Sequence, residues 1–206
     1  MAMLEPVRID VWSDFVCPFC FLVSFSLKKL EQEYGAEFQW HAYELRPAGS
    51  PPISPEYMER IKEGTVYFKN RAKAEEGVEI NSGPFGINSR PALILEKYAQ
   101  ANGKGHEYHN VTQDAYWLHA KDISQPEVLR EILASIGLPT PDLERVLAVP
   151  EYEAAVDADI AQAARYGIQA VPSVIFANRY LVSGAQPYDV FRQVMQRLEQ
   201  EQAASK

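Results

Sequence analysis

Two cysteines occur among the 206 residues, and they form a single motif, Cys17-Pro18-Phe19-Cys20. Thiols spaced this way suit two kinds of chemistry. One is exchange with a disulfide, in which the first sulfur attacks as a thiolate and the second resolves the mixed disulfide. The other is half of a tetrahedral zinc site. Zinc would need two further ligands, and the histidine pair at ligand-like spacing, His106 and His109, lies far along the chain. Both read as exposed helix residues, so no metal is expected. No third thiol exists for a disulfide framework.

The elements around the motif favour the redox chemistry. Val7, Ile9 and Val11 alternate with Arg8, Asp10 and Trp12, the period of a strand with one face on a core. Cys20, Val23, Leu27, Leu30 and Tyr34 then recur at helical spacing, with Gly35 as a C-terminal cap. Cys17 therefore falls at the start of a helix, where unpaired N–H groups and the positive end of the helix dipole stabilise a thiolate. Cys17 is expected to be the exposed attacking sulfur and Cys20, on the apolar stripe, the shielded resolving one. Asp14 is read as the cap of this helix, with proton relay as the alternative. Of Trp12, Phe15, Phe19 and Phe21, any left exposed would form a surface for unfolded substrates.

Phe38, Trp40 and Ala42 alternate with polar neighbours as a second strand, completing a β-α-β unit by Tyr43. Pro47, Pro51, Pro52 and Pro55 then interrupt regular structure, and Glu44 with Arg46 would form an ion pair at this boundary. Helices are expected over Pro55–Glu63, Thr65–Glu76, Pro91–Asn102 and His106–Lys121. Ser124-Gln125-Pro126-Glu127 reads as a capping box ahead of the next, Thr140-Pro141-Asp142 opens a short one, and Pro150 opens another that ends near Gly167. Ser173–Ala177 and Tyr180–Ser183 form a hairpin about Asn178-Arg179, and a last helix follows Pro187, fraying from Gln202. The class is α/β. Val171-Pro172 stands directly before the third strand, where a cis proline would shape a substrate groove and leave the Val171 main chain free to pair with an extended peptide.

Lys and Arg total 20 against 28 Asp and Glu, a net charge of -8 that offers no cationic surface to a phosphate backbone. Nucleic acid is not an expected partner. No run of about 18 apolar residues marks a membrane span, and Met1 to Pro6 carry no basic, apolar or cleavage-like signal. The chain is read as cytoplasmic.

Together, Ser13-Asp14-Phe15-Val16-Cys17-Pro18-Phe19-Cys20, Tyr43-Glu44-Leu45-Arg46-Pro47, Gly167-Ile168-Gln169-Ala170-Val171-Pro172-Ser173 and Ser183-Gly184-Ala185-Gln186-Pro187 resemble the DsbA-like thioredoxin family, in particular its FrnE-type branch of dithiol-disulfide isomerases. The resemblance implies a thioredoxin fold with a large all-helical domain inserted between the β-α-β unit and the C-terminal β-β-α unit, bounded as 1–48, 49–149 and 150–206. It implies a thiol-disulfide oxidoreductase, a protein disulfide reductase or isomerase, in which Cys17 and Cys20 are catalytic and Pro18, Phe19, Val171 and Pro172 contact substrate. The partners would be protein or peptide thiols and disulfides. No cofactor is expected beyond the redox-active disulfide and an external thiol donor, glutathione or a thioredoxin system, acting on a monomer or homodimer. Phe19 stands where the branch commonly has Trp, so the redox potential does not carry over. Alternatives are a glutathione-dependent enzyme like the kappa-class transferases or 2-hydroxychromene-2-carboxylate isomerases, which typically have serine at the position of Cys17, and a non-catalytic peptide-binding module.

Overall fold

The computed structural model describes residues 6–140 and 142–204. The N-terminal residues 1–5, Pro141 of the expected short-helix opening and the last two tail residues lie outside the described residues. β1 (Arg8–Ser13), α1 (Pro18–Tyr34) and β2 (Glu37–Ala42) form the β-α-β unit. Gly35 ends α1 in the left-handed region at φ 62°, where its N–H reaches the Glu31 carbonyl, a cap that a residue with a side chain adopts only at a cost. Then come α2 (Pro55–Glu76), α3 (Arg90–Ala101), α4 (Gly105–Trp117), α5 (Pro126–Ser135), α6 (Leu143–Leu147) and α7 (Pro150–Arg165). β3 (Ser173–Phe176), β4 (Tyr180–Ser183) and α8 (Tyr188–Ala204) close the chain.

The sheet order is β2-β1-β3-β4, with β1 and β2 parallel and the other two pairings antiparallel. The parallel pair needs a crossover, which α1 supplies, and this brings the N-terminus of α1 to the end of β1. Ile9 and Val11 pack with Val23, Leu27 and Leu30 of α1 and with Phe191 and Met195 of α8. The alternate residues Asp10 and Trp12 are equally buried, because α7 covers the other face. The strand has no solvent face, in contrast to the one-sided pattern expected.

Several local expectations are corrected. α2 runs unbroken through Gly64 where two helices were expected, since one glycine costs only about 1 kcal/mol in a helix of this length. Ser124 does not cap α5; its hydroxyl bonds Asp122 at 2.6 Å, and Gln125 precedes the helix without a side-chain cap. The hairpin turns on Ala177 and Asn178, at φ 48° and 55°, one residue earlier than expected. Glu44 pairs with Arg90 at 2.9 Å, whereas Arg46 donates to the Pro51 carbonyl. His109 is 1% exposed, with its Nδ1 2.7 Å from Glu96 and its ring stacked 3.4 Å from that of Trp40. His106 is partly buried and accepts a hydrogen bond from Trp40 Nε1. Neither is the exposed helix residue expected.

The segment α2–α6 does not have a core of its own. Phe68, Leu93, Tyr108, Trp117 and Leu129 pack in one cluster with Phe15, Phe21 and Leu22. The attachment also has a polar part. Asp159 of α7 accepts from the Ala42 N–H at 2.7 Å, lies 2.8 Å from His41 Nδ1 and pairs with Lys97 of α3, while His41 Nε2 lies 2.8 Å from Asp10. Burial lowers the basicity of His41, but the two carboxylates outweigh it and hold the imidazole above its ordinary range. Removing one member of a buried ion network strands the others. Asp159→Ala is therefore expected to lower stability by about 3–5 kcal/mol in urea unfolding monitored by circular dichroism, and a loss under about 1 kcal/mol would show that the network contributes no more than a surface pair.

Candidate active site

Cys17 is the N-cap of α1: its Sγ accepts from the Cys20 N–H at 3.4 Å, and Pro18 occupies the first helical position. The thiol thus takes the place that an Asp or Ser oxygen usually fills at a helix start. Asp14, expected as the cap, serves elsewhere. Its main-chain carbonyl accepts from the Cys17 N–H at 3.1 Å, and its carboxylate accepts from the N–H groups of Leu45 at 2.8 Å and Val16 at 3.3 Å. This buried carboxylate ties the loop before the dithiol to the loop after β2. Burial pushes its pKa up to about 6, against hydrogen bonds from Leu45, Ser89 and Val16.

Both cysteines are free thiols. Cys17 is only 3% exposed and Cys20 2%, so the sulfur expected at the surface is instead part of a cavity wall. The two pack with Trp12, Ala163, Ile168 and Val171. Burial pushes the Cys20 thiol well above the ordinary cysteine range and proximity to Cys17 adds to this, with the nearby Asp14 main chain and Ser13 side chain acting weakly the other way. Cys20 therefore stays protonated while Cys17 sits at the open end of the helix.

The Val171–Pro172 peptide bond is cis, and the Cys17 thiol donates to the Val171 carbonyl at 3.6 Å. Residues 154 positions apart in sequence thus meet at the reactive sulfur. Of the aromatic residues near the motif, Trp12, Phe15 and Phe21 are each 1% exposed, so only Phe19 is left to meet a ligand.

A cavity of about 400 Å³ opens beside Cys17, and Val16, Pro18, Phe19 and Val171 also line it. Its opposite wall is built from Leu45, Arg46, Tyr57, Arg60, Ile61 and Phe85; the motif Tyr43 to Pro47 contains the first two, but as a boundary and not as part of the site, and no motif pointed to the other four. No local signal marks Tyr57, Arg60, Ile61 or Phe85, because α2 and the 83–87 loop reach the dithiol only through the tertiary fold. Gly83 lets that loop lie close, as a Cβ there would stand 2.4 Å from the Lys121 carbonyl and 2.7 Å from the Tyr116 ring. Pro172 and Asp14 are not among the lining residues. His106 and His109 belong to the Trp40 stack, and among the described residues no cluster of three or more His, Cys, Asp or Glu could hold a metal.

The profile of the DSBA-like thioredoxin domain matches residues 8–196. The chain belongs to this family. An uncharacterised family-sized relative, YwbO of Bacillus subtilis, is 28% identical over 193 residues, covering 92% of this chain and 96% of that one. Among solved structures, a probable DsbA oxidoreductase from Streptomyces coelicolor superposes with a TM-score of 0.80 at 26% identity, covering 93% of this chain and 89% of that one. A 2-hydroxychromene-2-carboxylate isomerase gives 0.81 at 20% identity, with coverage of 97% and 99%. The cytosolic disulfide reductase DsbM from Pseudomonas aeruginosa, solved with GSH, gives 0.67 at 17% identity, with coverage of 92% and 99%. These last two share the fold of the DSBA-like family. No helix among the described residues is long and apolar enough to cross a membrane.

The raised pKa of Asp14 has a consequence for stability. Between about pH 4 and pH 6 the folded state holds a proton that the unfolded carboxyl has already released, so stability falls as pH rises through that window. The full effect is on the order of 3 kcal/mol. Unfolding free energies of the wild type and Asp14→Asn at pH 4 and pH 7.5 should therefore shift relative to one another, in favour of the variant at the higher pH. A difference that stays constant across the two conditions would mean that the carboxyl titrates in its ordinary range.

Proposed function

We propose that this protein is a thiol-disulfide oxidoreductase that reduces or isomerises disulfides of proteins and peptides through Cys17 and Cys20. The observation that carries the proposal is the placement of the Cys17 sulfur. It caps the N-terminus of α1, within 3.6 Å of the Val171 carbonyl and at the wall of an open cavity. The Cys17 thiolate attacks one sulfur of the substrate disulfide and expels the other as a thiolate. Cys20 then loses its proton and attacks the Cys17 sulfur of the mixed disulfide. The substrate leaves with two thiols, and the two electrons it gained come from the Cys17 and Cys20 dithiol, which is oxidised to a disulfide. The raised pKa of Cys20 keeps it from competing for the first attack.

An external thiol, glutathione or a thioredoxin system, completes the cycle by reducing that disulfide. A cytoplasmic setting fits a chain whose two cysteines both serve the redox pair. Substrate lies against Pro18, Phe19 and Val171, with the Val171 main chain pairing to an extended peptide and Pro172 behind it in the loop. Asp14 is a positioning residue, holding the loops on either side of the dithiol.

A second reading, a glutathione-dependent transferase or isomerase, draws on the size of the cavity, which is that of a small-molecule site. Cys20→Ser separates the two. If Cys20 resolves mixed disulfides, the variant accumulates a covalent Cys17 adduct with a peptide disulfide, visible by intact mass spectrometry, and Cys17→Ser abolishes insulin reduction. Full disulfide turnover by Cys20→Ser, with no adduct, would overturn the dithiol mechanism and leave the glutathione-dependent reading in place.

A further inference from the structure

Resting on the dithiol reading above, we propose that the cavity beside Cys17 selects low-molecular-weight disulfides that carry a carboxylate on an apolar, preferably aromatic, body. Its walls fix both halves of that description. Ile61, Phe85 and Phe19 face the space next to the sulfur, so a hydrocarbon or aryl group bound there is removed from water. The charged residues of the lining are two arginines, Arg46 and Arg60. The protein carries 28 acidic residues and a net charge of -8, yet no Asp or Glu lines this cavity.

The two guanidinium groups are also available. Arg46 spends one N–H on the Pro51 carbonyl at 2.8 Å, and Arg60 lies over the Tyr57 ring at 5.3 Å, but neither is in an ion pair among the described residues. Most other arginines of the chain are partnered: Arg8, Arg71, Arg90, Arg130, Arg179 and Arg197 each meet a carboxylate. Arginine presents a planar fork of donors that matches a carboxylate, and it does so more strongly beside an apolar wall than in open water. A volume of about 400 Å³ is that of a small-molecule site. The occupant is therefore a small acid disulfide.

The reaction is the one already described. Cys17 forms a bond to one sulfur of the bound disulfide, the distal half leaves as a thiolate, and Cys20 displaces the half held in the cavity, which leaves as the second thiolate. Two electrons pass from the protein dithiol to the substrate. The arginines take no part in the bond changes. They determine which disulfide is held long enough to react.

The test uses 5,5′-dithiobis(2-nitrobenzoate) and its neutral bis-amide, which share one aromatic body and differ in charge. Second-order rates are measured for the reduced full-length protein and divided by the rates for a free small thiol, which removes the intrinsic reactivity of each reagent. The carboxylate should then be preferred over the amide. In Arg46→Gln/Arg60→Gln that preference should fall about tenfold or more, the range expected for losing charge-assisted hydrogen bonds. Arg145→Gln, a change of net charge on α6 away from the cavity, should keep it. An equal preference in the wild type, an unaltered one in the double variant, or an equal drop in Arg145→Gln would each overturn the proposal while leaving the dithiol reading intact. Failure of the reduced protein to react with either reagent would overturn both. Circular dichroism and thermal melts of the variants establish that they are folded.

Discussion

The carboxylate of Asp159 is the point on which the arrangement of the dithiol depends. It belongs to α7, yet its donors come from β2 and α3: the Ala42 amide, the His41 ring and the Lys97 ammonium. The carbonyl of the same residue accepts from Trp12 Nε1 at 3.2 Å, and the Trp12 ring stacks on His41 with centroids 4.3 Å apart. One residue of α7 is thus pinned to both strands of the parallel pair. Fewer than two turns of helix and a short loop separate it from Val171 and Pro172. Because a helix and a tight loop transmit position with little slack, holding Asp159 on the sheet also holds the Val171 carbonyl against the Cys17 thiol. Trp12 completes the link, since it lies in one buried cluster with both cysteines, Ile168 and Val171.

The two sulfurs differ because of their positions on a single helix. Cys17 lies outside the first turn and receives an amide hydrogen bond, whereas Cys20 lies inside it and faces the core. Desolvation acts against a charge on Cys20, so on the proposed mechanism the order of attack follows from where α1 begins. Pro18 contributes to this. It needs no hydrogen bond for its own nitrogen and its φ suits a helix start, so the chain can turn into the helix immediately after the reactive residue.

Much of this was legible in the residues, and the exceptions share a cause. The β-α-β unit, the C-x-x-C at its turn, the helix at Pro150 and the final hairpin each follow from periodicity and punctuation within a short window. The burial of His109 does not. It depends on Glu96 and Trp40, which come from α3 and β2, and a histidine in an amphipathic helix shows no local sign of such partners. The same holds for Asp14, whose spacing before Cys17 suits a cap, but whose carboxylate is taken by the Leu45 amide across the fold. Ser124 had the capping-box spacing, and the nearer acceptor on Asp122 claimed its hydroxyl. Polar side chains near an element boundary have several partners within reach, and tertiary contacts choose among them.

Burial of both sulfurs also bears on how chemistry and selectivity are divided along the chain. A thiol that is 3% exposed cannot meet a disulfide on a flat protein surface; the disulfide must project into the cavity to reach it. One wall of that cavity consists of the dithiol, Phe19 and Val171. The facing wall, with Tyr57, Arg60 and Ile61, comes from the N-terminal half of α2, and Phe68 and Ala72, further along the same stripe, anchor the C-terminal half in the shared core. Cavity residues and anchoring residues thus occupy successive turns of one stripe, so the side chains that face the cavity are separated along the helix axis from those that hold it in the core. The cysteine pair, by contrast, is packed with Trp12, Ile168 and Val171 of the cis-proline loop. On the proposed reading, substrate preference is set by α2, the 83–87 loop and Leu45–Arg46, and the redox step by the strand–helix junction, two parts of the chain that share a core and both reach the cavity beside Cys17.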